Sequence, residues 1–176
     1  MARIILPAAP LSAHPEVFMP DLLIKLYNLP AIDTEARVAA NGITIRRAMA
    51  PEGEIIREWI GQRFSHHWVA EASVALSHQP VGLYIAIRDG RMLGFACFDA
   101  TARGFFGPTG VDEGERGQGI GEALLIATLK GMREAGYQYA IIGGAGPVDF
   151  YRKKLDALEV PDSVPGIYAD MLRKTP

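Results

Sequence analysis

Hydrophobic and polar positions along this chain fall into two periods, and the places where the period changes mark the elements. Gly42 to Arg47 (GITIRR) is a β-branched run and predicts a strand. Pro51 stands where a helix would open, and Glu52 and Glu54 suit its positive end. Ile55, Ile56, Trp59, Ile60 and Phe64 then keep helical spacing. A second helix is expected over Trp68 to Leu76, ending before Pro80. Leu83 to Arg88 (LYIAIR) and Met92 to Phe98 (MLGFACF) read as strands joined by Asp89-Gly90, a strong hairpin signal. Phe105 to Val111 (FFGPTGV) predicts another strand, interrupted by Gly107, Pro108 and Gly110. Ile120, Ala123, Leu124, Ala127 and Met132 mark a long helix closed by Gly136. Tyr137 to Ile142 (YQYAII) follows as a short apolar strand, expected to be parallel and buried. Pro147 opens a further helix to about Leu158, and Gly166 to Leu172 is expected to form the last strand. The order predicts a mixed α/β domain with one right-handed crossover.

The first forty residues break this regularity. Pro7, Pro10, Pro15, Pro20 and Pro30 divide them, so residues 1–40 read as an arm lying over a single domain of residues 41–176. Within the arm, Leu22 to Leu29 could form one short strand or helical turn, docking on the core or on a second subunit. A weak imitation of a signal peptide at Ala2 to Ala13 is broken by Pro7 and Pro10 after three apolar residues.

Composition narrows the function classes. The chain has 176 residues, 49% of them hydrophobic and 22% charged, which is ordinary globular usage and excludes disorder and coiled coil. Eighteen Lys and Arg against 20 Asp and Glu leave a formal charge of −2, with no basic footprint for nucleic acid. No stretch reaches the roughly 18 apolar residues of a membrane span. One cysteine, Cys97, excludes an intrachain disulfide and a thiolate metal cluster, and fits a reducing, cytoplasmic setting. His66 and His67 are adjacent, so their rings diverge; no metal is expected.

The informative stretch is Arg116-Gly117-Gln118-Gly119-Ile120-Gly121, between a strand and a long helix. Glycines cost about 0.5–1 kcal/mol each relative to alanine inside a helix. Their physical use here is to bring bare backbone N–H groups up to an anion at a helix N-terminus, with Arg116 as a forked cation suited to phosphate. A Walker turn would need Gly-Lys-Ser/Thr after Gly121, and it is missing. A dinucleotide fingerprint would need glycine where Glu122 stands, and the later Gly144-Ala145-Gly146 has Asp149 in its third glycine position.

Arg116 to Gly121, continued by Ala123-Leu124-Leu125, resembles the R/Q-x-x-G-x-G/A signature of the GNAT superfamily of N-acetyltransferases. The element order from Gly42 to Leu172 is similar too. The resemblance implies a mostly antiparallel sheet, splayed between its fourth strand (Phe105 to Val111) and its fifth (Tyr137 to Ile142), flanked by helices. It implies acetyl-CoA as co-substrate, with no metal. The coenzyme's pyrophosphate would rest on Arg116, Gly117, Gln118, Gly119, Ile120 and Gly121, with Glu122 at the helix edge. The pantetheine arm would pair with backbone at Gly110 and Val111, where an N–H would also polarise the thioester carbonyl. Tyr151 looks like the family tyrosine that protonates the departing thiolate. The acceptor implied is an amine, expected to be a small molecule; a homodimer is one form the resemblance allows.

The chain departs from the family pattern twice. The loop Gly143-Gly144-Ala145-Gly146 carries no asparagine ahead of Tyr151, and the strand Phe105 to Val111 carries no carboxylate. An alkylammonium of pKa near 10.4 is only about 1 part in 2,500 neutral at pH 7, so a base or a desolvating pocket is expected. Asp99 is the leading candidate base and Asp112 the second, each also readable as a turn or surface acid. Trp59, Phe64 and Trp68 read as core, or else as walls of the acceptor cleft. Lys153 and Lys154 read as a solvated helix face, or else as neighbours of the coenzyme's 3′-phosphate. The rival to an enzyme is a non-catalytic acyl-CoA binding or sensing domain.

Overall fold

A computed structural model describes residues 19–146 and 148–172. The signal-like stretch at Ala2 to Ala13 and Pro147 lie outside the described residues. In chain order the elements are β1 (Leu22–Lys25), α1 (Thr34–Ala39), β2 (Thr44–Arg47), α2 (Gly53–Arg63), α3 (His66–Ser77), β3 (Leu83–Arg88) and β4 (Arg91–Phe98). They continue with β5 (Phe105–Val111), α4 (Ile120–Glu134), β6 (Tyr139–Ile142), α5 (Val148–Leu155) and β7 (Leu158–Glu159). One seven-stranded sheet runs β2-β3-β4-β5-β6-β1-β7, antiparallel throughout except for the β5–β6 pair.

The strands sort their side chains by pleat. Leu83, Ile85, Phe95 and Cys97 face α2 and α3, while Tyr84, Ala86, Ala96 and Phe98 join the core under α4. Leu93 joins the α4 side although its parity is that of Phe95. Ala86 pairs with Gly94 and Ile87 with Met92, so Leu93 is the extra residue of a β-bulge that reverses the alternation. The hairpin turn has Asp89 and Gly90 both at positive φ, as a tight two-residue turn requires. Helix α4 buries nearly its whole length, from Ile120 to Met132, across β3, β4 and β5.

The described part of the expected arm, residues 19–40, supplies β1 within the Leu22 to Leu29 stretch, hydrogen-bonded between β6 and β7, and α1, packed on α4. Three other expectations shift. Gly166 to Leu172 forms no strand: Gly166 (φ +57°) and Asp170 (φ +60°) turn the chain, leaving a single 3-10 turn at Gly166–Tyr168. The sheet's outer place beside β1 goes to Leu158–Glu159, inside the expected helix, because α5 ends at Leu155 and Asp156 takes a positive φ. Ile55, counted in the apolar stripe of α2, points to solvent.

The sheet splays as expected. β5 and β6 pair only through Phe105↔Ile141 and Phe106↔Ile142. Beyond Phe106, β5 follows β4 to Val111 with no strand among the described residues paired to its other edge, and the gap between the strands becomes the site.

Candidate active site

A cleft of about 610 Å³ occupies that gap. Its floor is the end of β5, one side is the turn before α4, and the other is α5 and the α2–α3 junction. Gly110 and Val111 line it. The Asp112 N–H donates to Leu93 O on β4. Strand alternation therefore turns the Val111 N–H the other way, into the cleft.

The turn shows why glycine is needed. Gly117 and Gly119 both sit at φ +82°, a region costly to residues with a Cβ. Gly119 is the N-cap of α4 and offers no side-chain cap, so the first amides of a 15-residue helix have no side-chain acceptor. Arg116, Gly117, Gly119, Ile120, Gly121 and Glu122 all line the cleft. Gln118 does not; its amide donates to the Glu115 carboxylate at 2.7 Å. The positive end of α4 and its bare N–H groups thus face open space sized for an anion.

Charge around the turn is arranged in pairs. Glu122 is largely buried and accepts from Lys154 Nζ at 2.9 Å and Arg37 Nη2 at 2.6 Å. The Lys154 ammonium first, with Arg37 behind it, holds the Glu122 carboxyl below the usual carboxylate range. Glu115 is likewise lowered, by the Gln118 amide and then by Arg88, whose Nη2 lies 2.7 Å away. Arg116 is the freer cation: its side chain is 62% exposed and its nearest carboxylate, Glu113, is 4.0 Å off. Arg37 was not among the residues expected here. Its guanidinium stands beside Gly119, 3.2 Å from where a Cβ would sit.

Tyr151 lines the far wall, 7% exposed, its ring edge-on to Phe150 at 5.3 Å. Burial pushes its phenol above the ordinary value. Phe64 and Trp68 also line the cleft, while Trp59 belongs to the core beneath them.

Asp99 is not brought to the cleft. Its Oδ1 accepts the Gly104 N–H and its Oδ2 the Tyr137 O–H, each at 2.7 Å, so the carboxylate closes the β4–β5 turn. Asp112 accepts from Arg63 Nε at 2.6 Å beside a smaller cavity of about 300 Å³, and Arg63 holds it below the usual range. Among the described residues no group of three or more His, Cys, Asp or Glu could hold a metal ion, and no helix is long and apolar enough to cross a membrane.

Fold and site together define an α/β domain that opens its sheet beside an uncapped, glycine-rich helix start. A family model described as the acetyltransferase (GNAT) family matches residues 47–156, more than half of the chain, and the chain belongs to that family. Solved structures agree on the fold. A GCN5-related glucosamine N-acetyltransferase region of a fungal multi-domain GH3 beta-N-acetylglucosaminidase superposes with a TM-score of 0.67 at 17% identity, over 80% of this chain and 19% of that one. A GCN5-related N-acetyltransferase from Sphaerobacter thermophilus gives 0.61 at 20% identity, over 80% and 48%. This chain therefore spans less than half the length of either. No curated protein matches it.

Proposed function

We propose that this chain transfers an acetyl group from acetyl-CoA directly to the amine of a small molecule. The observation that carries the reading is the uncapped glycine turn at the start of α4, opening into the gap between β5 and β6. Its amides and Arg116 suit a diphosphate. The amine nitrogen attacks the thioester carbonyl carbon, and the resulting oxyanion meets the Val111 N–H. The C–S bond then breaks, the nitrogen's extra proton leaves to water, and Tyr151, kept protonated by burial, supplies a proton to the thiolate and recovers one from solvent. The lone Cys97 is a buried free thiol, in keeping with a reducing, cytoplasmic setting and with no acyl-cysteine step.

The test is calorimetry with acetyl-CoA alongside thiol release over a panel of amines. Tyr151→Phe should lower kcat at least about tenfold while acetyl-CoA binding survives. In the intact chain the alkaline loss of kcat should begin only above the ordinary tyrosine range, because the phenol's pKa is raised. Unchanged turnover in the phenylalanine variant removes Tyr151 from the chemistry. A second reading, a non-catalytic acyl-CoA binding domain, is favoured by one observation: both carboxylates lining the cleft, Glu115 and Glu122, are already ion-paired. Binding with no turnover on any amine would establish it.

A further inference from the structure

The cleft is chemically divided. Its phosphate-facing end is polar, and the end toward the α2–α3 junction is an aromatic shelf. The tip of the Phe64 ring points at Gly110, so close that a Cβ there would come within 2.5 Å of its Cζ. Trp68 stacks beside Phe64 with centroids 5.0 Å apart and planes tilted by 31°. Phe95, fully buried, supports both edge-on, at 5.9 Å from Phe64 and 6.0 Å from Trp68. Offset-stacked on each other and braced by Phe95, Phe64 and Trp68 form a preformed aromatic wall, suited to packing another ring at little ordering cost.

Among the described residues, those lining the cleft offer a charged amine no unpaired carboxylate. Of the ionisable groups lining the cleft, Glu115 is paired with Arg88 and Glu122 with Arg37 and Lys154. Arg116 would repel an ammonium. Tyr151 is held protonated, so it is an acid and not a base at neutral pH. Next door Asp112 is paired with Arg63, and Asp99 serves its turn. Among the described residues lining the cleft, an alkylammonium would find no free carboxylate to pair with and none to deprotonate it; His66 and His67, exposed between Phe64 and Trp68, are not part of the lining. An amine conjugated to an aromatic ring meets neither difficulty, because it is already neutral at pH 7.

Resting on the acetyltransferase reading above, we infer that the acceptor is a flat, weakly basic aromatic amine stacked on the Phe64–Trp68 shelf. The arylamine nitrogen forms the C–N bond, the C–S bond breaks, the nitrogen's proton leaves to water, and the thiolate takes a proton from Tyr151, which recovers one from solvent. The products are an N-aryl acetamide and free CoA thiol.

The experiment compares aniline, 2-phenylethylamine and spermidine by thiol release with acetyl-CoA at pH 7 and pH 8. At pH 7, kcat/KM for aniline should exceed that for 2-phenylethylamine by at least about tenfold. Between the two pH values the aniline rate should stay flat, whereas that of 2-phenylethylamine should rise about tenfold with its neutral fraction. Trp68→Ala should raise the aniline KM about tenfold and leave the calorimetric Kd for acetyl-CoA within about twofold. Trp68→Phe should restore most of the KM and guards against a folding defect in the smaller variant. Preference for either alkylamine, or no turnover of aniline despite intact acetyl-CoA binding, overturns the inference. So does a Trp68→Ala change in acetyl-CoA affinity with the aniline KM unmoved, which would give the shelf to the acyl donor. Failure of the unaltered chain to bind acetyl-CoA sinks the transferase reading itself.

Discussion

Arg37 stands ten residues before the family match begins, yet its guanidinium reaches Gly119 at the centre of the glycine turn. Glu122 fixes it there at 2.6 Å while also holding Lys154. One carboxylate at the third position of α4 thus positions two cations from separate helices. A guanidinium with five N–H donors keeps several free after one ion pair. Arg37→Ala should therefore weaken acetyl-CoA binding by about three- to tenfold, a modest loss because the side chain is 49% exposed and screened by salt. Calorimetry at low and at high salt checks this, since the gap between the two chains should narrow as salt rises. Equal affinities at low salt would make Arg37 a purely structural partner of Glu122. Such a residue is hard to read from a sequence, because 85 positions separate it from the carboxylate that positions it. Nothing local marks it, whereas the glycines beside it mark themselves.

At the scale of elements, legibility follows how local the cause is. The strands at Leu83–Arg88 and Phe105–Val111 fall at the bounds their composition implies, and Asp89-Gly90 makes the expected turn. Those features depend on pleat, turn chemistry and the missing donor of Pro108, all of which act within a few residues. The C-terminal strand expected at Gly166 to Leu172 had hydrophobic content but no register partner. The edge it would have used is taken by Leu158–Glu159. Asp99 illustrates the same limit at the site: an acid at a strand end looks alike whether it faces a substrate or closes a turn. Here it sits at φ +55° and accepts from Gly104 and Tyr137. Asp99→Ala should cost about 2 kcal/mol in stability, from a strained alanine and two lost hydrogen bonds. Turnover of the folded variant should stay within about twofold. A thermal melt paired with initial rates separates the cases, and a large fall in kcat with an unchanged Tm would return Asp99 to the role of base.

The whole molecule depends on a strand that its sequence presents as an appendage. Leu22, Ile24 and Leu26 are fully buried, each worth about 2 kcal/mol by removal from water. β1 also supplies the antiparallel partner of β6, whose only other neighbour, β5, holds it through two residue pairs. Without β1, β6 would keep only those two pairs, and β7 would lose the strand it is paired with. Asp21, which accepts the Gly144 N–H at 2.9 Å, would go too, and with it a tie on the loop leading to Tyr151. The three apolar side chains alone approach the net stability of an ordinary domain, about 5–15 kcal/mol. Deleting residues 1–40 should therefore abolish cooperative unfolding and acetyl-CoA binding together. Ile24→Ala, a smaller lesion, should cost about 2–5 kcal/mol and lower Tm while leaving the Kd of the folded fraction near that of the intact chain. Circular dichroism and calorimetry on both variants decide the matter. A deletion that melts cooperatively near the Tm of the intact chain would mean the sheet closes without β1, and that residues 22–26 are an arm after all.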